Sequence, residues 1–270
     1  MIPSPAYSRG RVREGASCLT QKNTPTPALP REYAGEGEFR ATLNIMPSAL
    51  NVLHTDVTTC TLCERLRTYC TDVAQTKRRA FADQTYWGKP VAGFGDPAAS
   101  LWIIGLAPAA HGANRTGRVF TGDRSGDFLF AALHRTGYAN QPHSLHRDDG
   151  LALTDCYISA TARCAPPANK PLPTEVANCS RYLDREWTLL RNKRRILALG
   201  KIAWDASLAL ATRNGIPPFQ SRPDFGHGAV VELTPSLQLI GSYHVSQQNT
   251  FTGRLTEAMF DSVLRLCSRI

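Results

Sequence analysis

The sequence predicts an α/β protein with a three-layer α/β/α fold and a mainly parallel, four-stranded central sheet. Two observations lead to this prediction. Four short apolar runs have the length of buried strands, and amphipathic helical patterns separate them along the chain. Strands that alternate with helices form parallel sheets with helices on both faces. The predicted strands are residues 101–106, 156–162, 196–199 and 237–243.

The helical patterns lie between these strands and after the last one. One covers about residues 126–136 and stops at Gly137, since glycine commonly ends a helix. Another follows Gly200 and ends near Gly215. Two more are recognised by apolar stripes at helical spacing. These stripes are Val176, Leu183, Trp187 and Leu190 in one helix, and Leu255, Met259, Phe260, Val263, Leu264 and Cys267 in the other.

The regular pattern begins only near residue 48. Residues 1–45 are rich in Pro, Ser, Gly and Thr, which predicts a disordered leader or an over-long gene start. Residues 46–270 contain no repeat and no second core, so we expect a single domain there. No apolar run approaches the ~20 residues of a membrane helix, and the N-terminus lacks the apolar segment of a secretory signal. We expect a cytoplasmic monomer that does not associate with membranes.

The charge balance favours a polyanionic partner. The chain has 31 Lys and Arg against 22 Asp and Glu, a net charge of +9. Most of this excess lies outside residues 1–45. Basic proteins bind nucleic acid through phosphate contacts and counterion release. The alternative is a basic surface that serves solubility alone.

The cysteines suggest a metal site rather than disulfides, because eight of them occur in a chain without a secretory signal. Cys60 and Cys63 form a C-x2-C pair, Cys164 follows a predicted strand, and Cys179 faces inward on a predicted helix. Four such thiolates can hold a 4Fe-4S cluster, whereas a zinc ribbon normally has two C-x2-C pairs. The cluster is therefore favoured over zinc. The alternative is that cysteines serve as small buried apolar residues, which we accept for Cys18, Cys70, Cys156 and Cys267.

The ends of the predicted strands have unusual sequences. Ligands of parallel α/β sheets bind beyond these ends, where the chain reads GLAPAAHG, RCAPPANKP and HVSQQNTFTG. The first opens the stretch GLAPAAHGANRTGRVFTGD, residues 105–123, which lacks the GxGxxG and GK[ST] patterns of nucleotide sites. Small residues such as Gly105 and Ala107 leave a slot for a flat ring that stacks on Phe120. Arg115 and Arg118 would lie near its phosphates, as a flipped-out nucleotide requires. The alternative is a tight turn without a ligand.

Together, these three motifs and the four cysteines resemble the family 5 uracil-DNA glycosylases, iron–sulfur members of the uracil-DNA glycosylase superfamily. The resemblance runs from about residue 48 to the C-terminus and includes YWGKPVAGFGDP. It implies an enzyme that hydrolyses the N-glycosidic bond of uracil in DNA, which initiates base excision repair, and that carries a 4Fe-4S cluster. The Ala-lined slot further suggests that hypoxanthine or ethenocytosine is also excised.

The resemblance also assigns roles to individual residues. Ala107 stands where many superfamily members have a polar residue that handles water, an absence that family 5 shares. Asn169 then becomes a ligand of the catalytic water, and Asp123 orients water or supports the sugar cation. Capping of a helix is the alternative for Asp123. His244 hydrogen-bonds O2 of uracil as negative charge develops there.

The last motif, HVSQQNTFTGRLT, is expected to contact DNA. Its polar side chains suit insertion into the minor groove, and Arg254 is predicted to lie just inside the last helix. We assign Ser246, Asn249 and Arg254 to substrate binding.

Two other functions remain open from the residues alone. A non-catalytic nucleic-acid-binding module with a structural metal site fits Ala107, because a carboxylate is missing there. Asp123, Asn169 and His244 together argue against it. A hydrolase that acts on free nucleotides is the third interpretation.

Overall fold

The computed structural model describes residues 48–268. The predicted leader at residues 1–45, and the boundary that follows it, lie outside this range. The helices are α1 (Ala49–Thr58), α2 (Glu64–Thr76), α3 (Ala113–Thr116), α4 (Arg124–Arg135), α5 (Pro173–Leu189), α6 (Lys201–Arg213), α7 (Gln247–Phe251) and α8 (Glu257–Ser268). The strands are β1 (Phe94–Gly95), β2 (Leu101–Gly105), β3 (Cys156–Ala160), β4 (Arg195–Leu199), β5 (Val230–Thr234) and β6 (Leu237–Ser242). Short 3₁₀ turns lie at Arg79–Phe81 and Pro167–Asn169.

The sheet has six strands in the order β1-β3-β2-β4-β6-β5, so the prediction of four strands was wrong. The four predicted strands are the central ones and run parallel, with Ile103 of β2 opposite both Ile158 and Leu197. The two additional strands pair antiparallel at the edges. They lack a continuous apolar run, because β1 has only two residues and β5 is largely solvent-exposed.

The core consists of separate apolar clusters on the two faces of the sheet. Successive side chains of a strand point to opposite faces, and β2 divides accordingly. Ile103 packs with Phe130 of α4 and Phe260 of α8. Ile104 belongs to a second cluster, with residues of α1, α5 and α6 such as Trp204. Ile103 and Ile104 thus belong to different apolar clusters, which include residues of different helices.

Two helix boundaries differ from the prediction in ways that affect the site. Helix α4 begins at Arg124, two residues early, because the Asp123 side chain caps it. Helix α8 begins at Glu257, so Arg254 lies in the preceding loop rather than inside the last helix. Among the described residues, no helix is long and apolar enough to span a bilayer.

Candidate active site

A cavity of about 630 Å³ lies beyond the carboxyl ends of the central strands. Its walls come from the segment after β2, the turn that leads into α4, the 3₁₀ turn after β3 and the loop after β6. The lining residues are Leu106, Ala107, Ala109, Phe120, Asp123, Ser125, Asn169, His244, Ser246, Gln247, Gln248 and Asn249. The structure therefore brings together seven of the nine predicted catalytic and substrate-binding residues. Gly105 and Arg254 do not line the cavity.

The Asp123 carboxylate is both a helix cap and a wall of the cavity. Its Oδ1 atom accepts a hydrogen bond from the backbone N–H of Gly126 at 3.0 Å. The carboxylate packs so closely over Gly112 that any side chain at residue 112 would collide with it. Burial raises the pKa of Asp123 above its ordinary value, although backbone N–H groups at the start of α4 oppose the shift. Asp123 thus does cap α4, as the alternative interpretation predicted, and this hydrogen bond sets the orientation of its carboxylate.

Phe120 forms an aromatic wall whose position depends on Gly105. The residue has a left-handed backbone, with φ of 51°, which is uncommon for a large side chain. A Cβ atom at residue 105 would lie 2.7 Å from Cζ of Phe120. Gly105 does not line the cavity, but its lack of a side chain leaves the space that the Phe120 ring occupies.

His244 is half-buried in the cavity wall, and its ring centroid is 6.2 Å from that of Phe120. Burial lowers the pKa of His244 to about 4, so the imidazole is neutral at neutral pH. Within residues 48–268 its ring nitrogens have no hydrogen-bond partner, which leaves one N–H for a ligand. The Asn249 amide donates to the His244 carbonyl at 2.8 Å and thereby folds the loop around the histidine.

Asn169 occupies an unusual backbone position at the rim of the cavity. It and Ala168 both have left-handed conformations, with φ of 56° and 51°. Two such residues in succession store strain, and Pro166 and Pro167 restrict the turn from the other side. The Asn169 side chain is exposed and makes no hydrogen bond to another described residue. Its amide is therefore free to bind a ligand.

Arg115 and Arg118 do not face the cavity as phosphate contacts, contrary to the interpretation of the sequence. Both side chains are buried. The Arg115 guanidinium donates to Gln84 and to the backbone carbonyls of His111 and Gly122. Arg118 makes an ion pair with Asp149 at 2.7 Å. These arginines stabilise the loops around the site. The phosphates of a bound nucleotide would therefore need other cationic side chains as partners.

The loop after β6 contributes differently from what its sequence suggested. Ser246 lines the cavity at the start of α7. The Arg254 guanidinium lies 4.7 Å from the ring centroid of Tyr243 and outside the cavity. Ser125 and Gln247 line the cavity but were not predicted. The sequence could have identified Gln247 as a lining residue, since it directly follows the predicted Ser246.

The predicted metal-ligating cysteines come from three parts of the fold. Cys60 and Cys63 lie between α1 and α2, Cys164 follows β3, and Cys179 lies on α5. Burial raises the pKa of Cys179 to about 12, and the nearby Cys164 and Cys63 thiols add to this shift. Within residues 48–268, no three His, Cys, Asp or Glu side chains stand in an arrangement that could hold a metal ion. The set of four ligands remains a prediction from the sequence.

Hydrogen-bond donors lie beside three of these thiols and oppose the rise in thiol pKa that burial causes. The Asn178 amide donates to Cys63 Sγ at 3.4 Å, and Arg67 Nη1 lies 3.9 Å from Cys164 Sγ. A backbone N–H of Arg163 lowers the pKa of Cys179 against the effect of burial. Hydrogen bonds of this kind stabilise thiolate ligands of metal clusters. The chemistry of these donors therefore fits thiolate ligands.

Cys70 lies closer to this group than the sequence suggested. Its thiol donates to the Ala165 carbonyl at 3.6 Å and packs with Cys63 and Cys164 in one small buried cluster. Hydrogen bonding to Cys70, together with burial, raises the pKa of Cys164.

Comparisons with known proteins point to one enzyme superfamily. A family model described as the Uracil DNA glycosylase superfamily matches residues 92–266. A type-5 uracil-DNA glycosylase of Mycobacterium tuberculosis is 52% identical over 215 residues, which cover 79% of each chain. The Thermus thermophilus protein of the same description is 48% identical over 215 residues, covering 79% of this chain and 94% of its own. A third, from Pyrobaculum aerophilum, is 42% identical over 206 residues, covering 76% of this chain and 86% of its own.

Proposed function

The chain belongs to the type-5 uracil-DNA glycosylases of the uracil-DNA glycosylase superfamily, and from that membership we propose how it hydrolyses the N-glycosidic bond of uracil in DNA. The observation that carries the proposal is the convergence of Asp123, Asn169 and His244 on one cavity. Such a pocket receives a nucleotide that has been rotated out of the DNA stack. Hydrolysis there leaves free uracil and an abasic site, the first step of base excision repair.

His244 acts on the departing base. Cleavage of the glycosidic bond places positive charge on the sugar and negative charge on the base. The neutral imidazole donates its N–H to O2 of uracil, where this negative charge develops. A donor that is already in place when the charge forms typically lowers the barrier by about 3 kcal/mol. The Phe120 ring lies beside His244 and stacks on one face of the base.

Asn169 and Asp123 act on the attacking water. The side chain of Asn169 has no partner in the described part of the protein and holds the water by its amide. Asp123 is fixed by its hydrogen bond to Gly126, and its carboxylate orients the water and stabilises the sugar cation. Ala107 lines the same cavity and offers no polar group. Hypoxanthine and ethenocytosine also fit the pocket, since the Ala107 side chain makes no hydrogen bond to a base edge. Ethenocytosine keeps an O2 atom for His244, whereas hypoxanthine has none and would leave without this hydrogen bond.

Excision is tested with an oligonucleotide that contains one uracil, followed by alkali, which cuts the strand at abasic sites. We expect uracil-dependent cleavage with the wild-type protein and none with a matched thymine oligonucleotide. Free dUMP and deoxyuridine should remain intact, because they lack the flanking nucleotides of DNA. Binding of the uracil strand without cleavage would instead indicate a non-catalytic module, and hydrolysis of dUMP would indicate a nucleotide hydrolase.

We further propose that Cys60, Cys63, Cys164 and Cys179 hold a 4Fe-4S cluster. Support comes from the chemistry of four thiols and from the N–H donors of Asn178, Arg67 and Arg163 around them. Hydrolysis of a glycosidic bond needs no electron transfer, so the cluster supplies cross-linking rather than redox chemistry. It ties the C-x2-C segment to the end of β3 and to α5.

Anaerobically purified protein should be yellow-brown and contain about four iron atoms and four sulfides per chain. Replacing any of the four cysteines with alanine should remove the colour and lower solubility. Cys267→Ala is the matched control, because this cysteine lies on α8 and packs in a core cluster that contains none of the four predicted ligands. Cys70→Ala is a weaker control, since its thiol contacts Cys164. A colourless wild type with one equivalent of zinc would contradict the cluster.

A further inference from the structure

A groove extends from the base pocket across the surface. A second cavity of about 970 Å³ shares Ala109, Asp123, Asn169 and Gln247 with the first, so the two adjoin each other. In the proposed function the flipped nucleotide occupies the first cavity. Its neighbours on the same strand then have to pass through adjoining space, and this groove provides it.

The groove contains two arginines whose charge is available to a ligand. Arg78 and Arg124 line it and are exposed. Within residues 48–268, neither guanidinium has a hydrogen bond or an ion pair, unlike Arg115 in the same wall. Asp123 and Asp127 are the acidic residues of the lining. Asp123 belongs to the catalytic end, so the outer part of the groove keeps a positive excess that suits phosphodiesters.

One wall of the groove is a loop, residues 143–149, that buried hydrogen bonds and an ion pair hold in place. The Asp149 carboxylate accepts two hydrogen bonds from the Arg118 guanidinium at 2.7 and 2.8 Å, and both side chains are almost fully buried. Asp149 also accepts the backbone N–H groups of Leu145 and His146. The Ser144 hydroxyl bonds that of Thr121 at 2.6 Å. The loop therefore keeps one shape before any ligand arrives.

This fixed loop displays an apolar side chain to solvent. Leu145 is 61% exposed and lines the groove together with His146. The network beneath holds Leu145 outward, since its own backbone N–H is bound to Asp149. An apolar side chain that is rigidly presented beside free arginines matches a surface that offers both phosphates and the apolar faces of sugars and bases.

We propose that the groove and the 143–149 loop form a second DNA-contacting element, separate from the loop after β6. Arg78 and Arg124 bind the phosphates next to the flipped nucleotide, and Leu145 packs against the neighbouring sugar and base. The inference rests on the proposed function, because it places the DNA strand by the position of the base pocket.

The experiment measures binding to a duplex that contains a tetrahydrofuran abasic-site analogue, over a series of salt concentrations. Arg78→Gln and Arg124→Gln should each weaken binding about three- to tenfold at low salt and reduce the slope of log Kd against log salt by about one. Leu145→Ala should weaken binding by a similar factor and leave the slope unchanged. Arg265→Gln and Val230→Ala are the controls, as an exposed arginine and an exposed apolar residue outside both cavities.

All five variants change exposed side chains, and equal thermal midpoints will show that they fold. Wild-type affinity and salt slope in the Arg78→Gln, Arg124→Gln double variant would overturn the phosphate assignment. Unchanged affinity of Leu145→Ala would overturn the role of the loop. These failures are distinct from a failure of the proposed function, which would appear as a wild-type protein that leaves uracil in DNA.

Discussion

Replacing either Asp123 or Asn169 with alanine is expected to lower the single-turnover rate of uracil excision about a hundredfold. This is the usual loss when one positioned catalytic group is removed. Both side chains line the base pocket, and Ala107 beside them cannot substitute. Affinity for an abasic product should survive both changes, since neither residue is needed for phosphate contact. A double variant with nearly wild-type turnover would contradict the scheme.

The pH profile separates the two residues. Burial raises the pKa of Asp123 above its ordinary value, so the carboxylate becomes protonated as pH falls through this raised pKa. If the ionised form orients water, wild-type turnover decreases on the acid side at a pH above that of an exposed aspartate. Asp123→Asn should abolish this decrease, whereas Asn169→Ala should retain it at a lower rate. A wild-type profile that stays flat down to pH 4, where His244 itself titrates, would show that turnover does not depend on a carboxylate with a raised pKa and would contradict this role of Asp123.

Replacing Glu186 with alanine is expected to lower the free energy of unfolding by about 3–5 kcal/mol, the usual cost of leaving a buried charge unpaired. Glu186 Oε2 accepts a hydrogen bond from Arg163 Nη2 at 2.6 Å, and neither side chain is more than 1% exposed. Arg163 Nε and Nη1 have no hydrogen-bond partner among residues 48–268. Loss of Glu186 would leave the whole guanidinium uncompensated, directly before Cys164. Urea unfolding monitored by tryptophan fluorescence measures the effect.

Asp56→Ala is the matched control, because the Asp56–Arg185 pair lies on the surface with both side chains more than 40% exposed. Exposed pairs contribute about 0–1 kcal/mol. A second variant that combines Glu186→Ala with Arg163→Met should recover much of the loss, since no buried charge then remains. If Glu186→Ala proved as mild as Asp56→Ala, the stabilising role of this ion pair would be wrong.

The features that could be predicted from the sequence are those that depend on short local patterns of residues. The four central strands have continuous apolar runs, because parallel strands are buried on both faces, and their unusual carboxyl ends pointed to the cavity. The edge strands were missed, since neither has such a run. The roles of Arg115 and Arg118 were also missed, because their partners Gln84 and Asp149 lie 31 residues away along the chain. A cation that binds DNA and one that holds a loop look alike in sequence.

The order of strands in the sheet also constrains when the protein becomes active during its synthesis. Strand β6, which leads into His244, inserts between β4 and β5, and in this sheet β5 pairs only with β6. A nascent chain that carries β2, β3 and β4 can therefore form most of the pocket wall but has no group for the departing base. Ribosomes have to translate beyond residue 249 before the cavity closes. Fragments that end earlier lack His244 and the rest of the cavity wall after β6, so we expect them not to excise uracil.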